Sequence, residues 1–203
     1  MYLIHTDIKE SPIEGKGYFA GEDIPLGTLV YFYSDADKRF TPNEFGSLSV
    51  LEQNRLREFA VEDEFGNWVE TATGPHTNHS CDSNILPLFI DGYYTSIAVK
   101  NIALGDEITT DYSQFFSSVN WSMDCNCRSP LCRRSIGFGL EHDPNLEIFW
   151  QDRLAQAVAN ITNVSQPITK SHDSYAKKIS SALLGKSNPT LAKQIKFSLI
   201  NGS

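Results

Sequence analysis

Long apolar stretches are missing from this sequence of 203 residues. None of its apolar runs approaches the roughly 18–20 residues that a transmembrane helix requires. The first residues, Met1 to Asp7, also lack the basic segment followed by an apolar one that marks a secretory signal. These absences predict an intracellular protein without a membrane-spanning segment, and the length suits one domain with an appendage or two small domains.

Positive charge is scarce in most of the chain. The first 164 residues hold 11 lysines and arginines against 24 acidic residues, whereas the last 39 hold six lysines and one aspartate. An acidic body argues against nucleic acid as its main ligand and favours a cationic partner such as a lysine-rich peptide, although acidic surfaces also keep proteins in solution. The basic tail could contact DNA or an acidic surface, or be a solvated face. These patterns do not predict an oligomeric state.

Cysteine is rare too, with four in the chain and none before Cys81. The others, Cys125, Cys127 and Cys132, form a Cys-x-Cys-x4-Cys segment. Cysteines one residue apart are poorly placed to bond each other. Three thiolates so close in sequence can instead occupy three corners of a tetrahedral zinc site, and Cys81 is the only cysteine left for the fourth. The alternative is that the cysteines are free and incidental.

Short strands broken by turns dominate the chain up to residue 110. Runs rich in β-branched and aromatic residues alternate there with glycine, proline, aspartate and asparagine. Later the pattern becomes helical, with an apolar stripe that predicts packing on the body or, alternatively, a dimer or partner interface. The predicted helices run from Pro42 to Phe59, from Asp143 to Ile161, from Asp173 to Leu184, and onward from Ser187.

Four segments carry a family resemblance. They are Gly15-Lys16-Gly17-Tyr18, the Asn-His-Ser-Cys-Asp-Ser-Asn of residues 78–84, the Gly-Asp-Glu-Ile-Thr-Thr-Asp-Tyr of residues 105–112, and the cysteine segment. In order and spacing they resemble the SET-domain protein lysine methyltransferases over about residues 2–139. The resemblance implies a mainly β fold with some α, made of small curved β-sheets with a pseudoknot, a zinc-bound post-SET loop and a C-terminal helical extension.

The resemblance also implies boundaries and a reaction. The SET domain would span residues 1–120 with a helical insert at about 42–60, the post-SET zinc segment 121–139, and the extension 140–203. The reaction would move a methyl group from S-adenosylmethionine to a protein lysine. One structural zinc ion would be bound by Cys81, Cys125, Cys127 and Cys132.

Roles for single residues follow from the same resemblance. Tyr112 would be the catalytic tyrosine, and the small Thr110 would permit di- or trimethylation. Taken singly, such residues could instead be a hairpin glycine, a core tyrosine or a hydrogen-bonded core histidine. The residues that would contact S-adenosylmethionine are Gly15, Lys16, Gly17, Tyr18, Asn78, His79, Tyr112 and Phe116.

The sequence departs from the family pattern at several positions. Ser83 replaces a proline, and residues 75–77 replace the usual Arg-Phe-Ile. Arg128 and Arg134 stand where the family has glycines. None of these changes removes a predicted metal ligand or Tyr112.

The predicted substrate is a lysine-bearing protein, with histone tails or another basic protein first by family analogy. A histone substrate would place the protein in the nucleus or on chromatin, and another substrate in the cytoplasm. Two alternatives are open. The acceptor could be a small amine or a peptide natural product, or the chain could be a non-catalytic SET module that binds a protein.

Overall fold

Short strands and four helices make up the part of the chain that the structure, a computed structural model, describes: residues 1–63, 66–115, 121–138 and 144–184. Within these ranges the strands form five small sheets. The strands are β1 (Thr6–Glu10), β2 (Lys16–Ala20), β3 (Leu29–Phe32), β4 (Lys38–Phe40), β5 (Val61–Glu62), β6 (Trp68–Glu70), β7 (Asn78–His79), β8 (Ile85–Ile90), β9 (Tyr93–Ala98), β10 (Thr109–Thr110), β11 (Trp121–Asp124) and β12 (Ser135–Phe138). The helices are α1 (Pro42–Ser47), α2 (Val50–Phe59), α3 (Pro144–Asn160) and α4 (Ser174–Leu184). The mainly β fold with some α that the sequence predicted is confirmed.

The central sheet has the strand order β3-β9-β8. β8 and β9 pair in antiparallel register along their full lengths. The two residues between them, Asp91 and Gly92, have φ of 52° and 79°. This left-handed pair gives a two-residue hairpin turn whose twist matches that of the strands. The Asp-Gly turn therefore sets the register of the hairpin.

A parallel pair of two-residue strands joins distant parts of the chain. In the pairing of β7 with β10, Asn78 lies opposite Thr109 and His79 lies opposite Thr110. The pair places the Asn-His segment beside the segment that ends in Tyr112.

The insert predicted as one helix at residues 42–59 contains two. α1 ends before Leu48, whose backbone is extended with φ −72° and ψ 158°. Ser49 then caps α2 through a reciprocal pair of hydrogen bonds with Glu52, which is the capping box that marks a helix start. The prediction of one continuous helix was wrong because the Ser-x-x-Glu sequence inside it starts a second helix.

The helices of the extension begin where the sequence predicted. α3 begins at Pro144. α4 begins at Ser174, and Asp173 caps it by accepting the backbone N–H groups of Tyr175 and Ala176. The helix predicted from Ser187 lies outside the described residues. No helix among the described residues has both the length and the apolar character needed to cross a membrane.

The extension and the central sheet share one apolar core, which confirms the predicted packing of the helical stripe on the body. β3, β8 and β9 supply one side of this core, and α3, α4 and the turns between them supply the other. Its buried members are Leu29, Phe32, Leu86, Leu88, Ile90, Ile97, Val99, Trp150, Leu154, Ala157, Ile161, Ile168, Ala176 and Ile179.

Candidate active site and metal centre

The glycine turn predicted to approach a cofactor leads into β2 beside Glu107. Gly15 has φ +47°, and a side-chain carbon added there would meet open space. At Gly17 an added Cβ would overlap the side-chain carboxylate of Glu107, so any larger residue would displace Glu107 from its present contacts. Lys16, between them, is exposed. Contact of this turn with a cofactor is still a prediction.

The side chain of Asn78 holds the turn in place. Its Nδ2 lies 3.1 Å from the carbonyl oxygens of both Glu14 and Lys16 and 2.7 Å from Glu107 Oε1. The hydroxyl of Ser11 donates to the same carboxylate. Glu107 is thus a site residue that the sequence patterns did not single out, although it lies inside the matched Gly-Asp-Glu segment.

His79 is buried and links Tyr112 to Cys81. The backbone N–H of Tyr112 donates to His79 Nδ1 at 3.2 Å, and His79 Nε2 lies 3.3 Å from Cys81 Sγ. Burial lowers the pKa of His79 to about 4, so the ring is neutral at pH 7. Because Nδ1 accepts, the single ring proton resides on Nε2 and faces the sulfur. Both ring nitrogens of His79 therefore have partners within the protein. Its contact with a cofactor stays a prediction.

Tyr112 presents a protonated hydroxyl. This hydroxyl donates to the carbonyl oxygen of Thr77 at 2.8 Å. Burial, helped by the negative charge of Glu107, raises the pKa of Tyr112 to about 12. Its only O–H proton is engaged with Thr77, so the lone pairs of the oxygen are left as acceptors. At neutral pH Tyr112 can accept a hydrogen bond but does not act as a phenolate base.

Thr77 also contacts a cluster of tyrosines through Tyr2. The hydroxyl of Tyr2 lies 2.7 Å from Thr77 Oγ1, and its ring centroid lies 4.8 Å from that of Tyr18 and 5.2 Å from that of Tyr31. Tyr18 is buried, and its hydroxyl donates to the carbonyl of Thr73. Thr77 departs from the family pattern, and it joins this tyrosine cluster to the catalytic candidate.

Thr110 is buried beside His79 in the parallel strand pair. It is 4% exposed, and its Oγ1 has no hydrogen-bond partner among the described residues. An unpaired buried hydroxyl costs about 1–3 kcal/mol, so core packing by itself would not favour threonine here. Its predicted effect on the product is untested. Phe116, predicted to pack on the adenine, lies outside the described residues.

The four predicted zinc ligands come together. The Sγ atoms of Cys81, Cys125, Cys127 and Cys132 all lie within 4.8 Å of one another, and all four cysteines are free. The Cys81 and Cys125 sulfurs are 3.7 Å apart. Tetrahedral zinc with Zn–S bonds of about 2.3 Å places its sulfurs about 3.8 Å apart. Both the donor set and the spacing therefore fit a zinc ion.

Arg133, directly after the last cysteine, connects the cysteine cluster to Asp111. Its backbone N–H and its Nε each lie 3.3 Å from Cys81 Sγ, and its Nη2 donates to the two carboxylate oxygens of Asp111 at 2.6 and 2.8 Å. Asp111 is fully buried. The sequence patterns did not single out either residue. Their positions in the sequence could have indicated a role, because Arg133 follows Cys132 and Asp111 precedes Tyr112.

Helix α3 adds two contacts to the same region. Trp150 Nε1 donates to Asp111 Oδ2 at 3.2 Å. One turn later, Arg153 Nη2 lies 2.7 Å from Asp82 Oδ1, and its Nη1 donates to the carbonyl of Ser83 at 3.2 Å. The extension, which had no predicted role, therefore reaches the site.

Two arginines adopt backbone conformations that suit glycine. Arg128 and Arg134 have φ of 55° and 70°. A left-handed backbone costs a residue with a Cβ roughly 1–2 kcal/mol. The chain thus keeps the conformation at both positions where the family pattern has glycine, at some cost in stability.

Comparison with known proteins agrees with the motifs. Residues 15–113 match the family model described as the SET domain. Over 142 residues the chain is 27% identical to histone-lysine N-methyltransferase 2B of Homo sapiens, an alignment that covers 64% of this chain. It spans only 5% of the length of that relative. A solved structure of a Plasmodium falciparum protein, provisionally described as a histone methyltransferase, is 20% identical with a TM-score of 0.42, over 54% of this chain and 93% of that one.

Proposed function

The chain belongs to the SET-domain family, and from that premise we propose that it transfers a methyl group from S-adenosylmethionine to the ε-amino group of a protein lysine. The observation that carries the proposal is the state of the Tyr112 hydroxyl. It is protonated, and its proton is engaged with the Thr77 carbonyl. Methyl transfer from a sulfonium to an amine is mainly a positioning task, and a fixed acceptor suits it.

The reaction needs a neutral amine. Deprotonating a lysine with pKa near 10.4 costs about 4.6 kcal/mol at pH 7. A partly desolvated site and a neighbouring sulfonium charge both lower this cost, so no strong base is required. S-adenosylmethionine supplies the methyl group, which forms a bond to the amine nitrogen as the electron pair of the C–S bond returns to sulfur.

Tyr112 orients the acceptor in this proposal. The lone pairs of its hydroxyl can accept an amine N–H or a weak C–H donor from the polarised methyl group. His79 supports this orientation because it accepts the backbone N–H of Tyr112. The reaction product is a methylammonium, which releases its extra proton to solvent.

Cofactor binding is assigned to the glycine turn and the segments around β7 and β10. Support comes from Asn78, whose side chain fixes the turn beside these strands. The residues proposed to hold S-adenosylmethionine are Gly15, Lys16, Gly17, Tyr18, Asn78, His79, Tyr112 and Phe116.

Zinc is proposed as a structural ion. Four protein ligands leave no open coordination position for catalysis. The ion would fix the segment of residues 121–138 to Cys81, and through the contact of Cys81 with His79 to the active site.

A basic protein tail is the proposed acceptor. The first 164 residues carry more than twice as many acidic as basic side chains, which favours a cationic partner. Histone is proposed as the substrate because the human relative is named a histone-lysine N-methyltransferase, and a histone substrate would place the protein in the nucleus or on chromatin.

The small side chain of Thr110 supports di- or trimethylation of the lysine. Mass spectrometry that finds only monomethyl-lysine after a long reaction would overturn this proposal about the product.

Transfer of labelled methyl groups tests the proposal. Core histones and a basic-protein extract would be incubated with labelled S-adenosylmethionine and wild type, Tyr112→Phe or Tyr93→Phe. Tyr93 packs against Tyr175, with ring centroids 5.7 Å apart, in contact with α4, so its variant controls for loss of a hydroxyl elsewhere. We expect label on a lysine with wild type and Tyr93→Phe, and a loss of about a hundredfold with Tyr112→Phe because the acceptor is no longer oriented.

The other outcomes discriminate between the alternatives. Label only in the extract would keep the reaction and exclude histone. Cofactor binding by calorimetry without transfer to any protein would reject the protein-lysine acceptor and favour a small amine or a non-catalytic module. Equal activity of Tyr112→Phe and wild type would remove Tyr112 from the mechanism.

A further inference from the structure

Helix α3 contacts the chain on both sides of the site. Trp150 contacts Asp111, which directly precedes Tyr112, and Arg153 contacts Asp82, which directly follows a proposed zinc ligand. We infer that α3 is a positioning element, which holds the catalytic tyrosine and the cysteine cluster through Trp150 and Arg153.

The argument for Trp150 starts from the burial of Asp111. This carboxylate is fully buried, and each of its oxygens has two donors. Oδ1 accepts from Arg133 and from the backbone N–H of Ser113, and Oδ2 accepts from Arg133 and Trp150. Without the indole N–H, Arg133 would be the one remaining hydrogen-bond donor to Oδ2 among the described contacts. The carboxylate could then rotate, and the turn that carries Tyr112 would rotate with it.

Trp150 also contacts the other member of the ion pair. The guanidinium carbon of Arg133 lies 5.7 Å from the centroid of the Trp150 ring, within the range of a cation–π contact. Arg133 in turn donates to Cys81 Sγ. One side chain of α3 therefore touches both the carboxylate beside the tyrosine and the cation beside the cysteine cluster. Phenylalanine at position 150 would keep an aromatic ring in the core and remove the N–H donor together with part of the buried ring volume, a loss that Trp68→Phe also produces.

Arg153 holds the opposite side of the site. It is bound to the Asp82 carboxylate and to the carbonyl of Ser83, and Lys100 Nζ lies 2.7 Å from the same Asp82 oxygen. The serine stands where the family pattern has a proline, whose ring fixes one backbone dihedral. Arg153 thus supplies from α3 a restraint on the segment after Cys81 that the local sequence does not supply.

Amide hydrogen exchange tests the role of Trp150 without relying on the proposed enzymatic activity. Peptides covering residues 78–84 and 109–115 would be compared with the β8–β9 hairpin, residues 85–98, in wild type, Trp150→Phe and Trp68→Phe. Trp68 is the matched control, because it is buried in β6 and stacks on Phe45. In Trp150→Phe we expect exchange in the 109–115 segment to be about tenfold faster relative to the hairpin, the effect of one lost hydrogen bond to a charge. Equal acceleration of site and hairpin, or the same pattern in Trp68→Phe, would overturn the inference.

Arg153→Gln gives a second measurement that depends less on the core, because the arginine side chain is 22% exposed. We expect faster exchange in the 78–84 segment. Asp82→Asn should give a change in the same direction. The double variant should fall short of the sum of the two, because they share one contact although Arg153 also binds the Ser83 carbonyl and Asp82 also binds Lys100. Fully additive changes, or no change, would contradict the role of Arg153.

The expected effect of Trp150 on catalysis rests on the proposed function. In a methyl-transfer assay Trp150→Phe should lower kcat about tenfold and leave KM for the protein substrate near its wild-type value, whereas Trp68→Phe should leave both unchanged. A wild-type protein without transfer activity would refute the proposed function and leave the exchange result to decide the inference. An active Trp150→Phe with wild-type kcat would refute the inference alone.

Discussion

The central sheet and the short β7–β10 pair beside Tyr112 are held in different ways. β8 and β9 pair over six residues each and lie on an apolar core, so ladder hydrogen bonds and burial suffice. β7 and β10 pair over two residues each, which is too short to be stable alone. Side chains complete that pairing. Asn84, for example, donates to the Glu107 carbonyl and accepts from the N–H of Thr109, both at 2.8 Å.

The difference teaches where substitutions should act. In the sheet, a lost methyl group removes burial free energy and leaves neighbouring geometry largely intact. In the β7–β10 pair, a lost polar atom removes one of the few restraints on Tyr112. We therefore expect changes of similar cost in stability to have unlike effects on methyl transfer.

Removal of zinc should have the largest effect. Structural zinc contributes roughly 10–16 kcal/mol in small zinc-dependent folds, and here it would connect Cys81 to the segment of residues 121–138. We expect a chelator to abolish methyl transfer and to expose amides of that segment, while the β8–β9 hairpin keeps its protection. Zinc release would be followed with a metal-sensitive dye, alongside transfer and exchange. Simultaneous loss of the hairpin would contradict the separation of the two regions.

Arg133→Ala should come next, with a loss of about 3–5 kcal/mol in the free energy of unfolding, because it leaves the Asp111 carboxylate buried without its cation. Leu88→Ala in the central sheet should lose a comparable amount, about 2–5 kcal/mol. Urea unfolding would give both values. Per folded molecule, transfer should fall more than tenfold in the arginine variant and stay near wild type in the leucine variant. Equal losses of transfer would remove the distinction.

Alkaline pH offers a test of Tyr112 itself. Burial raises its pKa from 10.0 to about 12. A phenol whose folded pKa is raised contributes stability that is intact below pH 10 and is lost as pH rises towards 12, because the unfolded chain ionises first. Between these limits wild type should lose up to about 3 kcal/mol more than Tyr112→Phe in the free energy of unfolding. Parallel curves for the two proteins would mean that the hydroxyl is not buried.

Arg134→Gly should have the smallest effect and the opposite sign. At φ 70° glycine removes the left-handed penalty but adds freedom to the unfolded chain, so we expect a gain of roughly 0.5–1 kcal/mol. Arg57→Gly, inside α2, should instead lose about 1 kcal/mol. Thermal unfolding of the two variants gives the comparison. A destabilised Arg134→Gly would show that the arginine side chain contributes more than its backbone costs.

The sequence predicted long-range contacts only where the contacting residues belong to a recognisable motif. Cys81 joins the three later cysteines, as the donor set and the family resemblance predicted. The capping box at Ser49 is also visible in the sequence, and it divides a stretch whose apolar spacing by itself predicts one helix.

Other contacts could not have been predicted from the local pattern. Asp111 binds Arg133 and Trp150, which are 22 and 39 residues away in sequence. A carboxylate or an indole N–H can form hydrogen bonds with many partners. The packing of α3 on the sheet selects which partners they meet. The same holds for Asn78 and Glu107, 29 residues apart.

The core shared by the sheet and the extension has a consequence for any shortened form of the protein. A chain cut near residue 139 would retain the matched motifs and the four cysteines, yet it would expose the apolar face on which Trp150, Ile168 and Ile179 are packed. Large uncovered apolar faces promote self-association. The motif-bearing fragment should therefore aggregate, and the whole described chain should melt in one cooperative transition.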